Sequence, residues 1–140
     1  MKKILLVEDN PADVLLTKRV VKQAELDAEL LIAGDGVEAL EILQDINASS
    51  EGIDPALVLM DINMPRKNGK DVLKEIKADR GLRHIPVVML TTSDSCLDIS
   101  ESYDNFASGC IVKPSRLNDF VTAISALKSF WFDTVQPARR

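Results

Sequence analysis

Cysteine, histidine, excess positive charge and long apolar runs are all scarce in this chain of 140 residues, and each shortage narrows what it can be. The two cysteines, Cys96 and Cys110, have neither CxxC nor Cys/His spacing, so no disulfide framework or cysteine metal site organises the fold, and both read as reduced structural residues. The single histidine, His84 in GLRHIP, reads as a surface-loop residue and not as a ligand or a phosphohistidine. No stretch approaches the roughly 18–20 apolar residues that cross a bilayer. The opening MKKILLVED offers only ILLV before two acids arrive, which reads as a strand, not a signal peptide. Seventeen Lys and Arg against twenty-two Asp and Glu leave a net charge of −5, which argues against binding along a phosphate backbone. A soluble cytoplasmic protein engaging neither nucleic acid nor membrane is expected.

Apolar residues make up 46% of the chain, enough for the core of one ordinary domain. They collect in short runs: KILLV (3–7), ELLIA (29–33), ALVLM (56–60), IPVVML (85–90) and GCIV (109–112). Runs this continuous read as parallel strands buried on both faces. Between them lie stretches of helical period. Asn10 can cap a helix with Pro11 at its first position, its apolar face using Val14, Leu15, Val21 and Ala24. Asp35 with Glu38 resembles a capping box that opens a second helix. A third helix follows Gly69, which supplies the turn before it, and EIKADR (75–80) reads as its solvated end. A fourth, over 96–106, is weak in helix formers, whereas a fifth, over 116–132, keeps the period through Leu117, Phe120, Val121, Ile124 and Leu127. Five strand–helix repeats predict one α/β domain, a doubly wound five-stranded parallel sheet with right-handed crossovers, over 1–132, followed by a polar tail over 133–140.

In such a sheet the carboxyl ends of the strands share one edge, where ligands bind. Glu8 and Asp9 follow the first run, Asp61 the third, Thr91 and Thr92 the fourth, and Lys113 the fifth. Three close carboxylates repel one another unless a cation relieves them, and Mg²⁺ suits an incomplete oxygen cage of one or two carboxylates plus waters. Lys113 would add positive charge for an incoming phosphoryl group, and a carboxylate beside a cation and a lysine is a plausible nucleophile toward phosphorus. Asp61 alone would pass for a strand-end turn acid; together with Glu8, Asp9 and Lys113 it is a candidate for phosphorylation.

ILLVEDN (4–10), LVLMDINMPRKNG (57–69), VVMLTTS (87–93) and IVKP (111–114), in this order, resemble the receiver domains of two-component response regulators. The resemblance implies the (βα)5 flavodoxin-like fold, Asp61 as phosphoacceptor, and a metal held by Glu8, Asp9, Asp61 and the main-chain carbonyl of Asn63. It further implies Mg²⁺, with Mn²⁺ as a substitute, Thr91 as switch hydroxyl with Thr92 beside it, Lys113 as phosphoryl partner and a cis peptide before Pro114. Asn63 and Ser93 would tune dephosphorylation. The loop NASSEGIDP and the end SFWFDTVQP look like the small stand-alone regulators that partner phytochrome-type photoreceptor histidine kinases. Two rivals remain. One is a receiver-like adaptor that is never phosphorylated. The other is a Mg²⁺-dependent aspartyl phosphohydrolase, which would want a second acid where Asn63 stands.

Two departures stand out. Cys110 occupies a position where many receivers carry the Tyr or Phe of their switch, and a thiol cannot sweep the same volume. Phe130, Trp131 and Phe132 cannot all face one helix's core stripe; either they wrap the helix end against the domain or, as the preferred reading, they make a homodimer or partner contact through the fifth helix and tail.

Overall fold

A computed structural model describes residues 2–26, 28–48, 55–62, 64, 67–91, 101–112, 117–127 and 129. Five strands alternate with helices: β1 (Lys2–Val7), α1 (Pro11–Gln23), β2 (Ala28–Ala33), α2 (Gly36–Ala48), β3 (Leu57–Asp61), α3 (Gly69–Ala78), β4 (Val87–Thr91), a helical turn α4 (101–104), β5 (Gly109–Val112) and α5 (Leu117–Leu127). All pairings are parallel, and the strands lie in the order β2-β1-β3-β4-β5. This is the expected doubly wound sheet, and the direction of winding reverses between β1 and β3, the place where such sheets bind ligands.

The period-2 alternation of each inner strand divides the core between two faces. Leu5, Val7, Val58, Met60, Val87 and Met89 meet Ala39 and Leu43 of α2 and Val72, Leu73 and Ile76 of α3. Ile4, Leu6, Leu57, Leu59, Val88 and Leu90 meet Val20 and Val21 of α1 and Phe120 and Ile124 of α5. Only β3 and β4 are buried along their whole length; β2 and β5 are edges and stay partly exposed. Reading all five runs as buried on both faces is therefore corrected at the two edges, because a strand with one neighbour receives less cover.

The helix starts follow their caps. The Asn10 side chain accepts from the amides of Ala12 and Asp13, with Pro11 as the first helical residue. Asp35 Oδ1 accepts from Glu38 N at 2.9 Å, while Glu38 Oε2 accepts from Gly34 N at 3.0 Å. Asn68 caps α3 through Asp71 N at 3.0 Å. Leu15 is 66% exposed and is not part of the α1 core face. The buried stripe runs through Thr17, Val20, Val21 and Ala24, and two residues before Thr17 is the opposite side of a helix. The end of the third helix is solvated at Glu75, Ala78 and Arg80 but not at Lys77, which is half-buried and donates to the carbonyls of Arg83 and Ile85 at 3.0 and 2.7 Å. Burial pushes its ammonium pKa down. Of the expected fourth helix, 101–104 is helical and 92–100 lies outside the described residues, as does the end of the fifth beyond 129.

Candidate functional site: an acidic cluster at the sheet edge

Register assembles the site. Val7 of β1 pairs with Met60 of β3, so the next residues, Glu8 and Asp61, stand side by side at the carboxyl edge of the sheet. Asp61 in turn pairs with Leu90 of β4, which puts Thr91 one step further along the neighbouring strand. Thr91 pairs with Val112, the last residue of β5 and the one before Lys113. Glu8 N donates to Ala33 O at 3.0 Å, which extends the β1–β2 ladder to the acid itself.

Carboxylate oxygens of Glu8, Asp9 and Asp61 all lie within 4.8 Å of one another. Glu8 and Asp61 are 3% and 8% exposed, while Asp9 faces solvent. Buried carboxylates this close are costly as anions, and their convergence suits a hard divalent cation. Two buried oxygen donors and one open to water leave room for the hydration such an ion retains. Thr91 is fully buried.

The chain leaving Asp61 is held tightly. Ile62 N donates to Leu90 O at 3.1 Å, Ile62 is buried, and Gly69 N returns to Ile62 O at 2.8 Å. The assignment of Gly69 to a turn is corrected: it is the first residue of α3, and its bare Cα lies against the main-chain oxygen of Asp61. Asn63, Thr92, Ser93, Lys113, Pro114, Phe130, Trp131 and Phe132 lie outside the described residues.

Residues 4–125 match the response regulator receiver domain. The chain belongs to this family. It is 40% identical over 134 residues to the response regulator Rcp1 of Synechocystis sp., covering 96% of this chain and 91% of the relative. The crystal structure of the Mn²⁺-bound form of Rcp1 superposes with a TM-score of 0.85 at 39% identity, covering 99% of this chain and 100% of that one. The phosphorylated cyanobacterial phytochrome response regulator RcpA gives 0.88 at 36% identity, covering 99% of both chains. Receivers are signalling proteins that bind a divalent metal and interact with histidine kinases, and the acidic cluster is what such a metal site requires. Among the described residues, no helix is long and apolar enough to cross a membrane.

Other features of this receiver lie outside the acidic cluster. Cys110 is a free, half-buried thiol whose pKa is pushed up by burial, while a hydrogen bond from the fully buried Ser102 pulls the other way. Lys70 Nζ reaches Glu101 Oε2 at 2.6 Å and ties α3 to α4. Two aromatic residues are exposed on the segment before β5: Tyr103 is 51% and Phe106 74% exposed, the latter at φ 69° where α4 ends.

Proposed function

We propose that the chain accepts a phosphoryl group from a histidine kinase onto Asp61, with Mg²⁺ held by Glu8, Asp9, Asp61 and the main-chain carbonyl of Asn63. The observation that carries this is the convergence of the three carboxylates within 4.8 Å at the β1/β3 switch point. An Asp61 oxygen attacks phosphorus of the donor phosphohistidine, forming an O–P bond as the N–P bond breaks and the electron pair returns to the imidazole. When bound there, Mg²⁺ would offset the charge of the carboxylates and of the incoming phosphoryl group. Lys113 holds one phosphoryl oxygen and Thr91, with Thr92 beside it, another, while Asn63 and Ser93 set the rate of hydrolysis. The similarity to Rcp1 and RcpA supports a phytochrome-type photoreceptor kinase as donor. The Mn²⁺-bound Rcp1 structure supports Mn²⁺ as a substitute for Mg²⁺.

The new phosphoryl group adds about −1.5 to −2 charge at one sheet edge, and the protein signals by contact in the cytoplasm. It does so as a homodimer joined through Phe130, Trp131 and Phe132 at the end of a receiver domain over 1–132, with 133–140 as a tail. Sedimentation tests the dimer: Trp131→Ala sediments as a monomer, and a wild type that is itself monomeric refutes it. Intact mass after incubation with acetyl phosphate and Mg²⁺ tests the transfer: one phosphoryl mass is gained, and none in Asp61→Asn. No gain in wild type under any condition favours the unphosphorylated adaptor. Rapid turnover of an added phosphomonoester favours the hydrolase.

A further inference from the structure

The turn from β2 into α2 contributes no group to the acidic cluster, yet it touches the chain on both sides of it. On one side Ala33 O accepts the amide of Glu8 at 3.0 Å. On the other, Gly36, the buried first residue of α2, lies against the segment between β3 and α3. A Cβ on Gly36 would come to 2.8 Å from the main-chain oxygen of Lys67 and 3.2 Å from Lys67 Cβ, and would overlap Val72 Cγ2. None of these neighbours can swing aside: one is backbone, and Val72 is fully buried in the α2–α3 core. Gly34, two residues earlier in the same turn, differs, since its Cβ would meet only the flexible carboxylate of Glu38 at 3.3 Å.

Both partners of this contact have bonds to their own helices. Asp35 Oδ1 accepts from Glu38 N and Glu38 Oε2 from Gly34 N at the start of α2, and Lys67 meets Glu75 of α3 at 2.6 Å in a partly exposed ion pair. Gly69 thus lies against the Asp61 carbonyl and Gly36 against the Lys67 carbonyl.

We infer that Gly36 is a positioning residue for phosphoryl transfer: its missing side chain lets α2 close on Lys67 and Val72 and so seats the start of α3, with Gly69, against the Asp61 main chain. The inference rests on the assignment of Asp61 as phosphoacceptor. A methyl group at position 36 pushes Lys67 and Val72 away from α2 and, through the start of α3, loads the contact of Gly69 with the Asp61 main chain, and small misplacements of reacting groups are costly.

The test compares full-length Gly36→Ala with Gly34→Ala and wild type, each checked for native circular dichroism. Hydrogen exchange at Gly69 N–H, which reports its bond to Ile62 O, is on the order of tenfold faster in Gly36→Ala and unchanged in Gly34→Ala. Mn²⁺ affinity, read from free Mn²⁺ by electron paramagnetic resonance, and the initial rate of labelling by acetyl phosphate fall by a similar factor in Gly36→Ala alone. A folded Gly36→Ala with wild-type Gly69 exchange and wild-type Mn²⁺ affinity overturns the inference. Should Gly36→Ala not fold, Mg²⁺ titration of wild type decides: the Gly36 amide resonance shifts together with that of Gly69, and a stationary Gly36 beside a shifting Gly69 overturns it. A wild type that binds metal but takes no phosphoryl group refutes the Asp61 assignment instead, while Gly69 exchange still decides the positioning role.

Discussion

Gly69 and Asp61, eight positions apart, are in direct backbone contact: a Cβ on Gly69 would overlap the main-chain oxygen of Asp61 and stand 3.0 Å from Ile62 Cα. The first turn of α3 therefore closes on the end of β3 only because residue 69 has no side chain. Gly69→Ala must open this contact or distort the strand end. Overpacking of this kind costs about 1–3 kcal/mol, read as a lower urea midpoint at unchanged slope. A midpoint equal to wild type would show that the segment yields freely.

The Lys70–Glu101 pair bridges the helix that starts beside the site and the turn that precedes β5. Its side chains are 22% and 41% exposed, so water and salt screen it. Glu101→Gln is expected to lose less than about 1 kcal/mol, with the difference from wild type shrinking as salt rises. A larger, salt-independent loss in urea unfolding would mean that the pair acts as a buried bridge.

Cys110 titrates late, because burial disfavours its thiolate more than the Ser102 bond favours it. In a Cys96→Ser background, the rate of alkylation by iodoacetamide should rise with pH around a midpoint above the roughly 8.5 of an unperturbed thiol. Ser102→Ala removes the donor that favours the thiolate and moves the midpoint further up. A midpoint below that of free cysteine would contradict this, and would make the thiol a candidate redox group.

Lys77 is pressed the opposite way, its pKa lowered by burial beneath the 10.5 of an unperturbed lysine. The folded state then releases this proton at lower pH than the unfolded state does. The unfolded chain binds more protons in the window just below 10.5, so stability rises with pH there. The cost of the buried charge is fully present at neutral pH and is relieved as pH climbs through the folded-state pKa. Comparing wild type with Lys77→Met by urea unfolding from neutral to alkaline pH should show wild type gaining on the variant. A difference that stays flat would mean the ammonium is effectively solvated.

Much of this was legible in the residue pattern. The strand runs stand out because parallel strands are continuous in apolar character, and the caps at Asn10 and Asp35 stand out because they precede periodic stretches. The acids at 8, 9 and 61 were placed together by topology alone, since strand ends of a parallel sheet share an edge. The sequence hid contacts that depend on distance between elements. That Gly36 and Gly69 are required by close approach, not by turn geometry, follows from where α2 and α3 settle. Leu15 looked like core because an apolar residue beside a valine fits an amphipathic face, and only the true phase of α1 turns it outward. Lys77 looked solvated because a lysine near a helix end usually is, until the loop before β4 supplies two carbonyls.

Chemical trapping of the phosphorylated residue tests the role of Asp61 most directly. Borohydride reduces an acyl phosphate to an alcohol, so treatment after exposure to acetyl phosphate and Mg²⁺ converts the acceptor aspartate to homoserine, which peptide mass mapping locates. Homoserine at position 61, absent when Mg²⁺ is chelated, is the expected result. Conversion at Asp9 instead, or equal labelling with and without Mg²⁺, would contradict the assignment of Asp61 as the metal-assisted phosphoacceptor.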